Sequence, residues 1–323
     1  MGYFKLVSKV KLDDLNIGDI LKESDFSSLT PNGNFIQMTY VPEEGKRPSY
    51  PVSAGVYTIS STSGGMELFP TRFTRDKILE EFIFTKTVTE FIDKFFEKLH
   101  VYYEEGIEVP KRAALLYGPA GTGKTTVISN IAEKYEQAKD TLIVVWRTDT
   151  VDASDVKDFI KSFEYNGVNK MILIAEDIGG IENDEARIRS DSSLLALLDN
   201  KEKTFSLPVY IIATTNFPEN LMGNLTNRPD RFDDKIKVDF PSAESRVSLL
   251  KFYLKDSATD SALALIASKK CDEFTPAHIR EIRLRSKIHD KTPETVIAEI
   301  QKEIDQYKKA FTKQATTGFG LYE

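Results

Sequence analysis

The chain has one cysteine, Cys271, among 323 residues, so no intramolecular disulfide can form. That excludes a disulfide scaffold and a cysteine-rich zinc module, and it fits a reducing compartment. Histidine is nearly as scarce: His100, His278 and His289 are dispersed, and no metal site follows from their spacing. Long apolar runs are also missing. The longest spans Ala262 to Ala267, whereas a membrane-spanning helix needs about 20 apolar residues. Met1-Gly2-Tyr3-Phe4-Lys5 leads into mixed polar sequence without the apolar core of a signal peptide. The expectation is a cytoplasmic protein with no membrane role. Acid exceeds base, 50 Asp and Glu against 43 Lys and Arg, for a formal charge of −7. A mildly acidic whole argues against a chain-wide polyanion binder, although a local basic channel remains compatible with it.

Hydrophobic residues make up 41% of the chain, ordinary for one that buries a core, and the length suits about two domains. Up to about residue 74, short apolar stretches alternate with turn signals. Pro31-Asn32-Gly33-Asn34 and Glu44-Gly45-Lys46-Arg47-Pro48 read as turns. Phe35 to Val41 and Gly55 to Ser60 read as strands, with a hairpin turn at Gly64-Gly65 before Met66-Glu67-Leu68-Phe69. From Arg75 the period becomes helical, with Ile78, Phe82, Val88, Phe91, Ile92, Phe95, Phe96 and Leu99 on the repeat. Four apolar runs follow, at 113–117, 142–146, 171–175 and 209–213, separated by helical stretches. Such runs mark strands covered on both faces, hence a wound parallel sheet of the α/β class. After Pro241 the pattern is helical: Arg246 to Leu254, Ser261 to Ser268, Ala277 to Ser286 and Pro293 to Phe311. Lys313 to Glu323 reads as a flexible tail or docking peptide.

Chemistry concentrates at the strand ends. Gly118-Pro119-Ala120-Gly121-Thr122-Gly123-Lys124-Thr125 matches G-x-x-x-x-G-K-[ST] in full, between a strand at 113–117 and a helix expected over Thr125 to Lys134, and with Thr126 these residues are the expected nucleotide-binding set. Glycines let such a loop turn its N–H groups toward phosphate oxygens, and the helix N-terminus adds positive potential. Lys124 supplies a cation to the β- and γ-phosphates of ATP, and the Thr125 hydroxyl is a Mg²⁺ ligand. Glu176 and Asp177 end the third apolar run, at the edge where open α/β sheets bind ligands. One should hold Mg²⁺ through its water and the other polarise the attacking water. By position Glu176 is the metal-side residue and Asp177 the base. Asn216, closing Ala213-Thr214-Thr215-Asn216, can stand between γ-phosphate and water, although Thr and Asn at a strand end also form turns. Arg228 and Arg231 flank a Pro229-Asp230 turn, as phosphate-recognising groups or as members of a salt-bridged surface loop.

These four sites, in this order, resemble the AAA family of ring ATPases in its classical branch. The resemblance covers roughly residues 76–312. Residues 91–96 followed by 110–117 look like the ATPase entry of the subgroup that includes a mitochondrial inner-membrane AAA chaperone. Leu194 to Asn200 resembles the family's Leu-rich helix, with Asn200 at its glycine position. The resemblance implies a P-loop AAA+ wound parallel sheet with a C-terminal helical lid, and the strand and turn pattern before it reads as a small β-rich N-terminal domain. The expected boundaries are 1–74 for that domain and partner adaptor, 75–240 for the large ATPase domain, 241–312 for the lid and 313–323 for the tail. It further implies ATP hydrolysis with Mg²⁺, a head-to-tail homo-oligomeric ring, hexameric in the family, and Arg228 and Arg231 acting on a neighbour's nucleotide. Two departures stand out. Arg147 to Ala153 has no aromatic where many members carry an aromatic pore loop, and Pro276 stands for a lid glycine. Arg280, two residues beyond His278, is open between nucleotide and solvent. The leading function is ATP-driven remodelling or translocation of a protein partner. The alternatives are action on nucleic acid and an ATP-binding switch with little turnover.

Overall fold

The computed structural model describes residues 3–6, 38–41, 50–62, 65–73, 83–147, 151, 153–179, 197–198, 205–219, 221 and 232–317. Within them the strands are β1 (Tyr3–Leu6), β2 (Met38–Val41), β3 (Tyr50–Ser53), β4 (Gly55–Thr62), β5 (Gly65–Pro70), β6 (Lys111–Tyr117), β7 (Thr141–Arg147), β8 (Phe163–Asn166), β9 (Lys170–Glu176), β10 (Val209–Thr215) and β11 (Asp234–Lys237). The longer helices are α1 (Ile83–Glu97), α2 (Leu99–Glu104), α3 (Lys124–Glu136), α4 (Ala153–Lys161), α5 (Ala243–Leu254), α6 (Asp260–Ala267), α7 (Pro276–Ile288) and α8 (Pro293–Thr317).

The four apolar runs became β6, β7, β9 and β10, the middle of a seven-stranded sheet ordered β11-β6-β10-β9-β7-β4-β5. Six of its strands are mutually parallel, and β5 turns back antiparallel to β4. Strand side chains point alternately to opposite faces, so each run feeds two cores. Ala113, Leu115, Val144, Leu173 and Ile211 join one cluster, which α4 covers with Val156 and Ile160. Ala114, Leu116, Val145, Ile174 and Ile212 join the other, covered by Ile92 and Phe95 of α1 and by Ile128 and Ile131 of α3. Burial on both faces explains why these strands carry no polar alternation.

Two expectations about the ends of the chain need correction. The 55–70 hairpin forms as read, but it is not part of a separate N-terminal unit. Gly55–Thr58 of β4 pair with Leu142–Val145 of β7, placing the hairpin at the sheet edge, on the core side of the expected boundary at 74. The reason is burial: Val56 packs into one face of the sheet and Ile59 into the other. Just before it, β3 pairs with β8, immediately after α4. At the other end α8 runs to Thr317, so the first five residues of the expected tail continue a helix. The turns at 31–34 and 44–48 and most of the Leu194–Asn200 segment lie outside the described residues.

The C-terminal helices have their own core of Leu249, Leu250, Ile266, Phe274, Ile279, Ile282, Val296 and Ile300. Arg246, only 2% exposed, fastens this core to the chain leaving the sheet. Its guanidinium donates to the carbonyls of Pro241 (3.0 Å) and Ile266 (2.8 Å) and pairs with Asp272 (2.8 Å). Five donors in one planar fork suit such a junction, where helix-end carbonyls need partners.

Candidate functional site

Parallel strands end at a common edge. The ladder sets Thr215 level with Tyr117 and Ala213 level with Ala175, so the residues after β6, β9 and β10 emerge side by side. They are Gly118, Asp177 and Asn216.

Gly118 sits where a side chain cannot. Its φ is +153°, and a Cβ would lie 2.1 Å from the carbonyl oxygen of Val238. Its N–H donates to Thr215 O at 3.3 Å, and Val238 N donates to Tyr117 O at 2.8 Å, so the start of the loop is gripped from both sides. Thr122 Oγ1 donates to Pro119 O at 2.8 Å and folds the loop back on itself. Gly123, left-handed at φ +105°, then turns the chain into α3.

Lys124, the first residue of that helix, is 6% exposed. Its Nζ donates to the carbonyls of Gly118 (2.7 Å) and Pro119 (2.8 Å). Burial pushes its pKa down to about 8, and the Asp177 charge opposes the fall. A buried ammonium held by neutral carbonyls, beside a helix N-terminus and a loop of backbone N–H groups, is an arrangement that an anion relieves. That chemistry fits a polyphosphate, and the adjoining Thr125 hydroxyl and Asp177 carboxylate are oxygen donors of the kind a Mg²⁺ ion accepts.

Asp177 departs from β9 with a positive φ of 55°. Aspartate tolerates that conformation better than most residues. Its N–H donates to Thr214 Oγ1 (3.1 Å), and its Oδ1 accepts from Asn216 Nδ2 (3.3 Å). The two expected catalytic positions on β9 and β10 are thereby tied to each other. Glu176 is the last residue of β9, half-buried and in register with Arg147 of β7.

A cleft of about 290 Å³ opens over these residues. Its floor is Ala120, Gly121, Gly123, Lys124, Thr125 and Thr126, with Asp177, Thr214 and Asn216 along one side. Of the expected site residues, Gly118, Pro119, Thr122 and Glu176 are not among the lining residues. The opposite wall comes from the C-terminal helices as Tyr253, Pro276, Ala277 and Arg280. Thr275 seals the seam, its hydroxyl 3.1 Å from where a Cβ on Gly121 would stand. Arg280 thus borders the cleft while remaining exposed to solvent. Arg228, Arg231 and residues 148–150 lie outside the described residues.

Sequence reasoning assigned no role to Asp233. Its carboxylate accepts from Ala113 N at 2.8 Å and its own N–H donates to Ala113 O at 2.9 Å, fixing the end of the arginine loop to β6. Phe232 beside it is 2% exposed. Tyr253 was likewise not anticipated, and no local signal marks it; Thr275, standing before Pro276, carries the local signal of a helix N-cap.

Residues 114–240 match the family model described as "ATPase family associated with various cellular activities (AAA)". That stretch of the chain is similar to the AAA domain. The match begins in β6 and ends three residues past β11, so it takes in the loop, Asp177 and Asn216. Curated proteins are similar to the chain as well. The ATP-dependent zinc metalloprotease FtsH of Clostridium perfringens is 32% identical over 185 residues, 53% of this chain and 24% of that protein. FtsH 1 of Petrotoga mobilis is 32% identical over 223 residues, 64% of this chain and 32% of that protein. The proteasome-activating nucleotidase of Methanocella arvoryzae is 31% identical over 204 residues, 57% of this chain and 47% of that protein. The chain therefore corresponds to between about a quarter and a half of the length of these relatives. Among the described residues no helix is long and apolar enough to cross a membrane.

Proposed function

We propose that the AAA domain hydrolyses ATP with Mg²⁺ and that copies of the chain act as a ring to remodel a protein partner. The observation that carries the reading is Lys124, a buried cation on a preformed anion-binding loop, facing the hydrogen-bonded Asp177–Asn216 pair across the cleft.

Backbone N–H groups of 118–125 and the Lys124 ammonium would take the phosphates. Thr125, with Glu176 acting through water, would hold Mg²⁺, whose charge offsets that of the β- and γ-oxygens. Asp177 would accept a proton from the attacking water, its carboxylate oriented by Asn216. Arg228 and Arg231 would supply positive charge to a neighbouring subunit's γ-phosphate. We assign the segment before α1 to partner binding. A protein client is favoured because FtsH and the proteasome-activating nucleotidase are named for work on proteins, and because the chain is acidic, −7 overall. Expectations of a cytoplasmic site of action and a hexamer belong to the same reading.

Subunit mixing tests it. Lys124→Ala subunits keep the arginines but lose the nucleotide site, and Arg228→Ala/Arg231→Ala subunits do the reverse. Each alone should be nearly inactive, the arginine variant by about 10³-fold or more. Mixed assemblies should recover part of the ATPase rate. No recovery, despite mixed assemblies seen by native mass spectrometry, counts against action in trans. A fully active arginine variant removes the finger assignment.

A further inference from the structure

Helix α7 brings Pro276, Ala277 and Arg280 to the cleft, all within its first turn and a half. What fixes that turn is a reciprocal cap. Thr275 Oγ1 accepts from His278 N at 3.2 Å, and His278 Nδ1 accepts from Thr275 N at 3.2 Å. Such boxes ordinarily carry Glu or Gln at the third helical position, side chains that accept at any pH near neutrality. Here the acceptor is an imidazole. A ring nitrogen accepts only when it bears no proton, so this contact assigns the neutral ring with its proton on Nε2.

The cap is coupled to the phosphate loop. Thr275 is 3% exposed and abuts Gly121. His278 packs edge-on to Phe274, with ring centroids 5.8 Å apart. We propose that His278 is a positioning residue of the nucleotide site: in its neutral form it closes the cap that holds Ala277 and Arg280 over the loop. This inference rests on the nucleotide reading given above.

Protonation would turn Nδ1 from acceptor to donor, set it against the Thr275 N–H, and place a positive charge at a helix N-terminus, where the dipole opposes it. Burial lowers the His278 pKa below its ordinary 6.5; Glu303 of α8 opposes this and Arg285 of α7 reinforces it. Arg285 is itself bonded to Glu303 (2.6 Å) and Glu281 (3.0 Å). Lys124, Tyr253, Asp177 and Arg280 are the other ionisable groups around the cleft. With the folded pKa depressed, the contribution of the cap is complete above pH 6.5 and is lost as pH falls through the folded value.

The experiment is calorimetric titration of the full chain with Mg·ATP from pH 5 to 8, for wild type, His278→Gln and His278→Ala. The glutamine keeps an acceptor but does not titrate, so any titration of ATP itself cancels in the ratio of the two curves. Wild type should bind as tightly as His278→Gln above pH 6.5 and about fivefold more weakly at the acid end, the worth of one helix cap. His278→Ala should be about fivefold weaker than His278→Gln throughout. A constant ratio of wild type to His278→Gln across the range, or His278→Ala binding like wild type at pH 7.5, overturns the assignment of His278 alone. No binding of Mg·ATP by wild type at pH 7.5 overturns the nucleotide reading together with it.

Discussion

The two walls of the cleft are built in different ways. The floor is one continuous segment, residues 120–126, whose shape follows from local requirements: glycines at positive φ, a threonine turned back onto Pro119 and a helix beginning at Lys124. The opposite wall joins Tyr253 at the end of α5 to Pro276, Ala277 and Arg280 of α7. Nothing local brings those helices together. Their shared apolar core does so, with Arg246 fastening them to the carbonyl of Pro241. A wall set by local geometry is fixed before ligand arrives. A wall set by packing between two separately cored units can move relative to the first, and its grip on a ligand then depends on how the units sit. Substitutions on the floor should therefore cost more than substitutions on the opposite wall.

The sharpest contrast is expected at Lys124. Lys124→Ala removes a cation expected to contact two phosphate groups. At about 1.5–3 kcal/mol per charge-assisted hydrogen bond, ATP affinity should fall by about 10²-fold to 10⁴-fold. Calorimetric titration measures this, and near wild-type affinity would remove the loop assignment. The same residue gives a pH dependence. With the free-state pKa near 8, Lys124 loses its proton above that pH, while bound phosphate favours the charged form. ATP affinity should therefore decline above pH 8. Its effect on the stability of the ligand-free protein has the opposite sign. Between pH 8 and the unfolded value near 10.5 the unfolded chain binds more protons, so this group's contribution to folding stability rises with pH.

Asp177 divides binding from chemistry on the sheet side of the cleft. Asp177→Asn should retain Mg·ATP binding and lower the turnover number by about 10²-fold to 10⁴-fold, because a neutral amide does not accept the proton. Glu176→Gln is the companion measurement. Normal hydrolysis by Asp177→Asn with stalled, ATP-bound Glu176→Gln would reverse the two roles. A pull-down with the stalled variant would also capture the client.

The contrast between walls also explains what could be read from sequence. The phosphate loop was legible because its function needs a fixed local geometry, and few residue types satisfy it. β6, β7, β9 and β10 were legible because burial on both faces leaves no room for polar residues. β11 was not: at the sheet edge, Asp234, Lys235 and Lys237 face partners or solvent, so no apolar run marks it. β4 and β5 were recognisable as a hairpin, but pairing with β7 is a long-range event that neither strand announces. The 74 boundary was misplaced for that reason. Tyr253 acquires its position only through tertiary packing, and Thr275, though a local helix cap, meets Gly121 only through it. The final turn of α8 was missed because its small polar residues carry no apolar repeat.

The smallest effect is expected from Arg280, and it separates the walls most directly. The side chain borders the cleft but stays open to water, where a charge contact is worth less than in the interior. A contact with nucleotide phosphate there should contribute about 1 kcal/mol, so Arg280→Ala should raise KM for ATP about fivefold. The turnover number should change little if the arginine only helps hold bound nucleotide. Screening supplies an internal check. The ratio of wild-type to variant KM should shrink toward one as ionic strength rises from about 0.05 to 0.5 M, because the Debye length falls well below the distances that matter at an open site. The Lys124→Ala defect should persist under the same salt, since that ammonium is buried. A salt-insensitive loss at Arg280 as large as that at Lys124 would mean that both walls are equally fixed, and the contrast between them would fail.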